Sequence, residues 1–334
     1  MKRREFITLI GGAAVAWPLA APAQQPAKMK RVAMVNVAIK PEDMKIGGDP
    51  LYAILLEEVK RLGYVEGVNL IVDRYSAEGR FDRFAEIAHE VVATGPDVIY
   101  TVGNPLTLAF KSETRAIPIV AYTGDPVAAG IVSSLARPGG NITGVSGDAG
   151  PELGAKRIQL LAEAVGKLSN VRVLGPPTAW EHPATKALRQ AAEGMKIPVL
   201  FEPLQTPINE AEYRRAFDAM QRDHVDGVAI SGDPENYFHG HLLGLLAQQY
   251  RLPAISTYAE TAETGALMSY AFDLKAGTRR VAAQIVEILN GGKPAEMPYF
   301  IEAHFELVIN LKAAKQIGLK IPAGLIVQAD RVIE

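Results

Sequence analysis

The chain has 334 residues, a formal net charge of −2 at pH 7 and no cysteine. Near-neutral charge without a long basic run excludes an electrostatic nucleic-acid binder, and the lack of cysteine excludes disulfides, a cysteine nucleophile and a lipid-anchored N-terminal cysteine. What folds must be held by its hydrophobic cores.

The first segment is a targeting signal rather than structure. Lys2-Arg3-Arg4 precedes a short apolar stretch, 7–20, and then Ala21-Pro22-Ala23, an A-x-A cleavage pattern. The stretch falls short of the ~20 apolar residues that span a bilayer. Arg3-Arg4-Glu5-Phe6-Ile7 resembles a twin-arginine signal; an ordinary Sec signal that carries two arginines is the alternative. Residues 1–23 are therefore read as an export signal and the protein as periplasmic.

From there the pattern alternates. Residues 31–38 form a buried strand, 51–62 a helix, 69–76 a strand, 81–91 a helix, 97–102 a strand, 106–115 a helix, 117–122 a strand and 127–136 a helix. After a glycine-rich stretch the alternation restarts. Helices are expected at 153–165, 184–195, 210–222, 237–250 and 277–289, and strands at 171–174, 199–202, 227–230, 254–256 and 266–270. A further strand and helix fall within 305–332. Apolar strands alternating with helices indicate an α/β fold with parallel doubly wound sheets, here as two Rossmann-like lobes. Lobe I takes 30–148 plus about 258–303, and lobe II takes 149–257 plus about 304–334.

The stretch between the lobes, Leu135-Ala136-Arg137-Pro138-Gly139-Gly140-Asn141, is glycine-rich but is no dinucleotide loop. Such a loop follows a strand and opens a helix, whereas this one follows a predicted helix and enters a short strand, 142–146. It reads as a helix stop and tight turn leading to an interdomain crossover, with Gly144 and Gly147 easing backbone rotation. No cofactor motif appears.

Three strands end on one phrase: Gly103-Asn104-Pro105, Gly124-Asp125-Pro126 and Gly232-Asp233-Pro234. Asn and Asp are favoured helix N-caps and proline suits the first helical position. The phrase sets helix N-termini at the carboxyl ends of parallel strands, the edge where open α/β sheets bind ligands, and helix N-termini favour anions. Asn104, Asp125 and Asp233 either cap their own helices or face a ligand in a cleft between the lobes. Trp180, directly after a strand, and the aromatics Tyr237 and Tyr258 lie at the same edge. His239-Gly240-His241 spaces its histidines onto different helix faces, so no metal site is expected there, and no catalytic triad, zinc or nucleophile motif occurs.

The stretches "RPGGNITGVS", "GDPVAAGIVSSLARPGG", "RLPAISTYAETAETGALMSYAFD" and "FELVINLKAAKQIGLKIP" followed by "ADRVIE" resemble the ABC-transporter substrate-binding family of the tryptophan/tyrosine type, over essentially the whole chain after the signal. The resemblance implies a type I periplasmic-binding-protein fold with an interdomain hinge, no enzymatic activity, and an aromatic amino acid or similar carboxylate as ligand. It also implies an ABC permease and ATPase as partners of a monomeric binding protein. On that reading the N–H groups of the stretch Asn104-Pro105-Leu106 (those of Asn104 and Leu106, since proline has none) and of 124–127 (Gly124, Asp125 onward) receive the carboxylate. Asp233 receives an ammonium, and Trp180, Tyr237 or Tyr258 stack on the ring. The usual Gly-Gly-Leu-Met-Ser-Tyr-Gly of the family appears as Gly265-Ala266-Leu267-Met268-Ser269-Tyr270-Ala271, and its small hydroxylated position after the third strand as Asn104. Two other classes fit the residues alone: an exported sensor module for a receptor, and an exported α/β enzyme.

The signal yields the first prediction. Changing both Arg3 and Arg4 to Lys is expected to leave the precursor in the cytoplasm, read by fractionation and immunoblot. Undiminished export of the Lys-Lys form assigns the Sec route instead.

Overall fold

A computed structural model describes residues 29–147, 150–301 and 304–334; the export signal expected at 1–23 lies outside them. In chain order the elements are β1 (Lys30–Asn36), α1 (Pro50–Arg61), β2 (Leu70–Ser76), α2 (Phe84–Ala93), β3 (Val98–Val102), α3 (Asn104–Glu113), β4 (Ile119–Thr123) and β5 (Ile142–Ser146). Then come α4 (Glu152–Val165), β6 (Val171–Gly175), α5 (Pro183–Gly194), β7 (Val199–Pro203), α6 (Glu210–Arg222), β8 (Gly227–Ile230), α7 (Pro234–Phe238), α8 (Gly240–Gln249) and β9 (Ala254–Ser256). The chain closes with α9 (Ala259–Thr264), β10 (Met268–Phe272), α10 (Leu274–Leu289), β11 (Phe300–Ile301), β12 (Phe305–Asn310), α11 (Leu311–Ile317), α12 (Ala323–Gln328) and β13 (Arg331–Ile333).

The strands form two sheets, ordered β11-β5-β4-β3-β1-β2 and β13-β12-β10-β9-β8-β6-β7. The first is wholly parallel; in the second only the β10–β12 pair is antiparallel. Each sheet is covered on both faces. In lobe I, Leu55 and Val59 of α1 pack with Val281 and Ile285 of α10 on one face, and Phe84, Ile87, Leu106 and Phe110 of α2 and α3 fill the other. In lobe II, α4, α5 and α12 cover one face through Ile158, Leu188 and Leu325, and α6 and α8 the other through Tyr213, Phe217 and Leu243. This two-sided burial explains why the strands read as continuous apolar runs. Among the described residues no helix is long and apolar enough to cross a membrane.

Four sequence expectations change. Residues 127–136 are turns, not a helix: Gly130 takes φ 70°, and the N–H groups of Ile131 and Val132 both return to the Pro126 carbonyl, at 2.8 and 3.1 Å. A 6→1 closure of this kind stops a helix before it extends, so Pro138-Gly139 follows an irregular segment rather than ending a helix. The expected helix 237–250 is broken at His239, whose ring packs on Tyr213 at 4.8 Å and whose Nδ1 meets the Glu235 carbonyl at 2.9 Å. The short helix α9 gave no periodic signal. Finally, β10 lies beside β9 and β12 in the second sheet, so the chain returns to lobe I after Phe272 rather than near 258; apolar periodicity does not reveal which sheet a strand joins.

Gly144 and Gly147 do not serve rotation. Gly144 sits in β5, where a Cβ would run into the backbone of Ala121, and Gly147 sits beneath the ring of Phe272, which a Cβ would approach to 2.6 Å. The contact between α4 and α5 is equally close: a Cβ on Gly154 would run into the backbone carbonyl of Ala184. Backbone cannot yield as a flexible side chain can. Gly154→Ala is therefore expected to lower unfolding free energy by ~1–3 kcal/mol or more, measured by chemical denaturation. Unchanged stability would show that the two helices can separate freely.

Candidate functional site

The carboxyl ends of both sheets face one cavity of about 220 Å³. The lobes meet across it: a Cβ on Gly103 of lobe I would stand 3.3 Å from Cγ of Pro234 of lobe II. Its wall is largely aromatic. Tyr237 packs edge-on against Phe238 and Tyr258, Tyr258 against Phe272, and Phe272 lies 6.3 Å from Tyr122. Tyr52 and Tyr100 close the lobe I side, 6.1 Å apart. Burial pushes the phenols of Tyr100, Tyr237 and Tyr258 above their ordinary range, so they stay neutral and serve as apolar faces with a polar tip. Asn36 holds Tyr52 by donating Nδ2–H to its hydroxyl at 3.0 Å, while its own Oδ1 accepts from Ala38 and Ile39.

Six of the nine residues singled out in the sequence line this cavity: Asn104, Pro105, Gly124, Asp233, Tyr237 and Tyr258. Three do not. Leu106 is wholly buried in the lobe I core. Asp125 turns back on its own segment, accepting from the N–H groups of Val127 and Ala128 at 2.9 Å each. Trp180 stacks on Phe201 of the edge strand β7 at 5.2 Å, with the Arg189 guanidinium over its other face at 4.1 Å. The short 3₁₀ turn Pro177–Glu181 carries that ring away from the cleft. Two of the N–H groups expected at 124–127 are likewise spoken for: Gly124 donates to Asn104 Oδ1 at 3.1 Å and Val127 to Asp125 Oδ1 at 2.9 Å.

Asp233 is oriented by a chain of directed hydrogen bonds. The Tyr213 hydroxyl donates to Asn236 Oδ1 at 3.0 Å, Asn236 Nδ2 donates to Ser231 Oγ at 3.0 Å, and the Ser231 hydroxyl donates to Asp233 Oδ2 at 2.6 Å. Asp233 makes no side-chain cap to α7, which removes the capping reading. Burial raises its pKa, against the lowering pull of the Ser231 hydroxyl and His182. A partly buried carboxylate oriented at the edge of an aromatic cavity can receive a cation.

Sequence reasoning missed Asp49, Arg157 and His182. Asp49 caps α1, accepting from Leu51 and Tyr52; its phrase Gly48-Asp49-Pro50 repeats the Gly-Asp-Pro signal, but it follows a loop rather than a strand. Arg157, buried on α4, donates Nε–H to the Tyr270 carbonyl at 3.0 Å and lines the cavity. His182 precedes Pro183 at the start of α5, so His-Pro is another cap-and-proline signal that could have been read. Among the described residues no group of three or more His, Asp or Glu side chains is placed to hold a metal ion.

Next to Asp233, Glu235 is buried in the first turn of α7, and desolvation, with the Asp233 charge adding to it, pushes its carboxyl up to about 7. An acid raised in the fold loses stability as pH rises between its unfolded value and its folded one. Glu235→Gln is expected to stabilise the protein at pH 8 by on the order of 2–4 kcal/mol and to have little effect at pH 4.5. Denaturant titrations at both pH values test this; equal effects at the two would place the Glu235 carboxyl at an ordinary pKa.

Residues 45–333 match the family described as ABC transporter substrate binding protein. A curated relative, the tyrosine-binding protein of Clostridioides difficile strain R20291, is 24% identical over 263 residues, 77% of this chain and 73% of its own. Among solved structures, a conserved domain protein from Vibrio cholerae O1 biovar El Tor is 26% identical with a TM-score of 0.78, covering 91% of this chain and all of that one. An ABC domain of Streptococcus pneumoniae in complex with L-Trp is 22% identical, with a TM-score of 0.77, covering 92% of this chain and all of its own. Two sheets of this topology, each with its carboxyl edge on a shared cavity, and a family match over most of the length lead to one conclusion: the chain belongs to the ABC transporter substrate binding protein family, with the type I periplasmic-binding-protein fold, and is a binding protein rather than an enzyme.

Proposed function

We propose that this chain is the periplasmic ligand-capturing subunit of an ABC importer and that it takes an aromatic amino acid, with tryptophan and tyrosine as the first candidates. The observation that carries the reading is the placement of Asp233. The carboxylate is fixed by Ser231, Asn236 and Tyr213 at one side of an aromatic cavity, opposite the N-terminus of α3 on the other lobe. An α-ammonium pairs with Asp233 and the α-carboxylate meets the α3 end. The ring lies among Tyr52, Tyr100, Tyr237 and Tyr258. At about 220 Å³ the cavity is smaller than the roughly 300 Å³ at which drug-sized pockets begin, which suits one amino acid. The tyrosine-binding relative and the L-Trp complex support the same ligand class.

The mechanism follows from two lobes joined by three crossovers. Ligand contacts to both lobes favour the closed form over the open one, and nothing else about the ligand can do so. The closed form then presents both lobes together to a permease, with an ATPase beneath it. The protein acts as a monomer delivered across the inner membrane by its twin-arginine or Sec signal.

A thermal-shift screen of the amino acids is expected to single out tryptophan or tyrosine, since a ligand at a hundred times its dissociation constant stabilises the native state by ~2.7 kcal/mol. Calorimetry then tests the site. Asp233→Asn keeps shape but loses charge, and is expected to weaken that ligand by roughly 30-fold to several thousandfold. Wild-type affinity is expected to fall as pH drops through the raised pKa of Asp233, since only the ionised carboxylate pairs with an ammonium. Affinity within threefold of wild type in Asp233→Asn removes this residue from recognition, and no shift by any amino acid overturns the ligand class.

A further inference from the structure

Tyr52, in the first turn of α1, is only 3% exposed, and what it exposes lines the cavity. Its hydroxyl accepts the Nδ2–H of Asn36 at 3.0 Å. The two cannot exchange roles, because Asn36 Oδ1 is taken by the N–H groups of Ala38 and Ile39, at 2.9 Å each. An amide whose oxygen is held by two N–H groups turns its NH₂ to the phenol. Tyr52 is therefore left with an O–H to donate, and that hydrogen meets no acceptor among the described residues. A phenol oxygen is conjugated with its ring, so the O–H lies near the ring plane and, with Asn36 on one side, points to the other. Burial pushes this phenol well above its ordinary range, so the proton stays on the oxygen.

An acceptor stands at the same end of the cavity. Asp49 Oδ1 holds the N–H groups of Leu51 and Tyr52, at 2.9 and 3.2 Å, while its Oδ2 has no partner among the described residues. Asp49 lines the cavity. Its charge adds to burial in raising the phenols of Tyr52, Tyr100 and Tyr237, which sets it among those three rings. The lobe I wall thus offers one fixed donor and one open acceptor within an otherwise aromatic surface. Buried polar groups left without partners are costly, and here the missing partners are for a ligand to supply.

We propose that Tyr52, set in place by Asn36, reads a hydroxyl on the ring of the ligand, so that among the aromatic amino acids this protein selects tyrosine over tryptophan and phenylalanine. The proposal rests on the amino-acid reading above and narrows it. A ligand phenol accepts from the Tyr52 O–H and has its own hydrogen for Asp49. The indole nitrogen of tryptophan carries a hydrogen and only donates, so it leaves Tyr52 unpaired, and the phenyl ring of phenylalanine leaves both groups unpaired. A site built to hydrogen-bond a hydroxyl rejects the analogue without one, because its own buried groups then lose their partner. Tyr52 is in this sense a specificity-determining residue and Asn36 the residue that positions it.

The test is calorimetry on the full mature chain with L-tyrosine, L-phenylalanine and L-tryptophan. Tyrosine is expected to bind about ten- to a hundredfold more tightly than phenylalanine, and more tightly than tryptophan. Tyr52→Phe removes the hydroxyl and keeps the ring, and is expected to bring tyrosine and phenylalanine to within about threefold of one another. A wild-type protein that binds none of the three overturns the amino-acid reading and the hydroxyl reader with it. Wild-type binding in which phenylalanine or tryptophan equals tyrosine overturns the hydroxyl reader alone, and this comparison stands whether or not the variant folds. A preference for tyrosine that Tyr52→Phe leaves intact places the reading group elsewhere in the cavity and also overturns it. Equal weakening of all three ligands in Tyr52→Phe assigns the Asn36–Tyr52 pair to packing of the lobe I wall, with the same consequence.

Discussion

The ring of Phe272 lies against Gly147, close enough that a Cβ there would stand 2.6 Å from its carbons. Phe272 ends β10 just before the chain returns to lobe I, and Gly147 follows β5 just before the chain leaves it. Two of the three crossovers thus touch through one aromatic ring. On the lobe I side the same ring neighbours Tyr122, whose phenol packs over Gly277 at the start of α10, where a Cβ would stand 2.8 Å from its ring. On the lobe II side it neighbours Tyr258. Close-packed contacts of this kind move as a unit rather than deform. They fix where the two sheet edges meet, and Phe272, Tyr122 and Tyr258 all line the cavity beside that junction.

A cleft of this composition is costly to close empty. Burial raises the pKa of Asp233 against the pull of the Ser231 hydroxyl and His182, and it raises the pKa of Asp49 and Glu235 as well. A buried carboxylate without partners costs several kcal/mol, and only a few polar side chains, among them Ser231, His182 and Arg157, stand among the aromatic walls. A zwitterion changes the balance. Its ammonium pairs with Asp233, its anion takes donors that would otherwise be desolvated, and its ring fills the apolar volume. On the proposed reading, a ligand that supplies these partners favours the form in which both lobes contact it.

Much of the fold was legible because burial on both faces of a parallel sheet writes long apolar strand runs into the sequence, and amphipathic helices write their own period between them. What was lost shows where that signal ends. Residues 127–136 carry the apolar residues of a helix, but Gly130 in a left-handed conformation and a 6→1 closure on Pro126 turn the chain instead. Met268–Phe272 reads as a strand in either lobe; its membership of the second sheet is decided by pairing with Phe305–Asn310, more than thirty residues away. Trp180 follows a strand, as a cleft residue does, yet its ring is captured by Phe201 and Arg189.

The site was legible through one phrase, glycine, then Asn or Asp, then proline, and the structure shows that the phrase does not fix the role of its polar residue. At Asp49 and Asp125 the carboxylate binds the N–H groups of its own segment. At Asn104 the cap position is taken by Gly103, with φ 89°, so the side chain stands one residue into α3. It cannot fold back on the first turn, and it reaches sideways to the end of the neighbouring strand at Gly124. Asp233 does hold the cap position, but Ser231, itself held by Asn236, draws its carboxylate away from the helix. The phrase sets the backbone: a strand end, a turn, and a helix with its N-terminus at the cleft. Whether the side chain then serves its own helix or remains for a ligand is decided by a tertiary neighbour that competes for it, and that neighbour lies on another strand or at another turn of the chain, beyond the reach of a local reading.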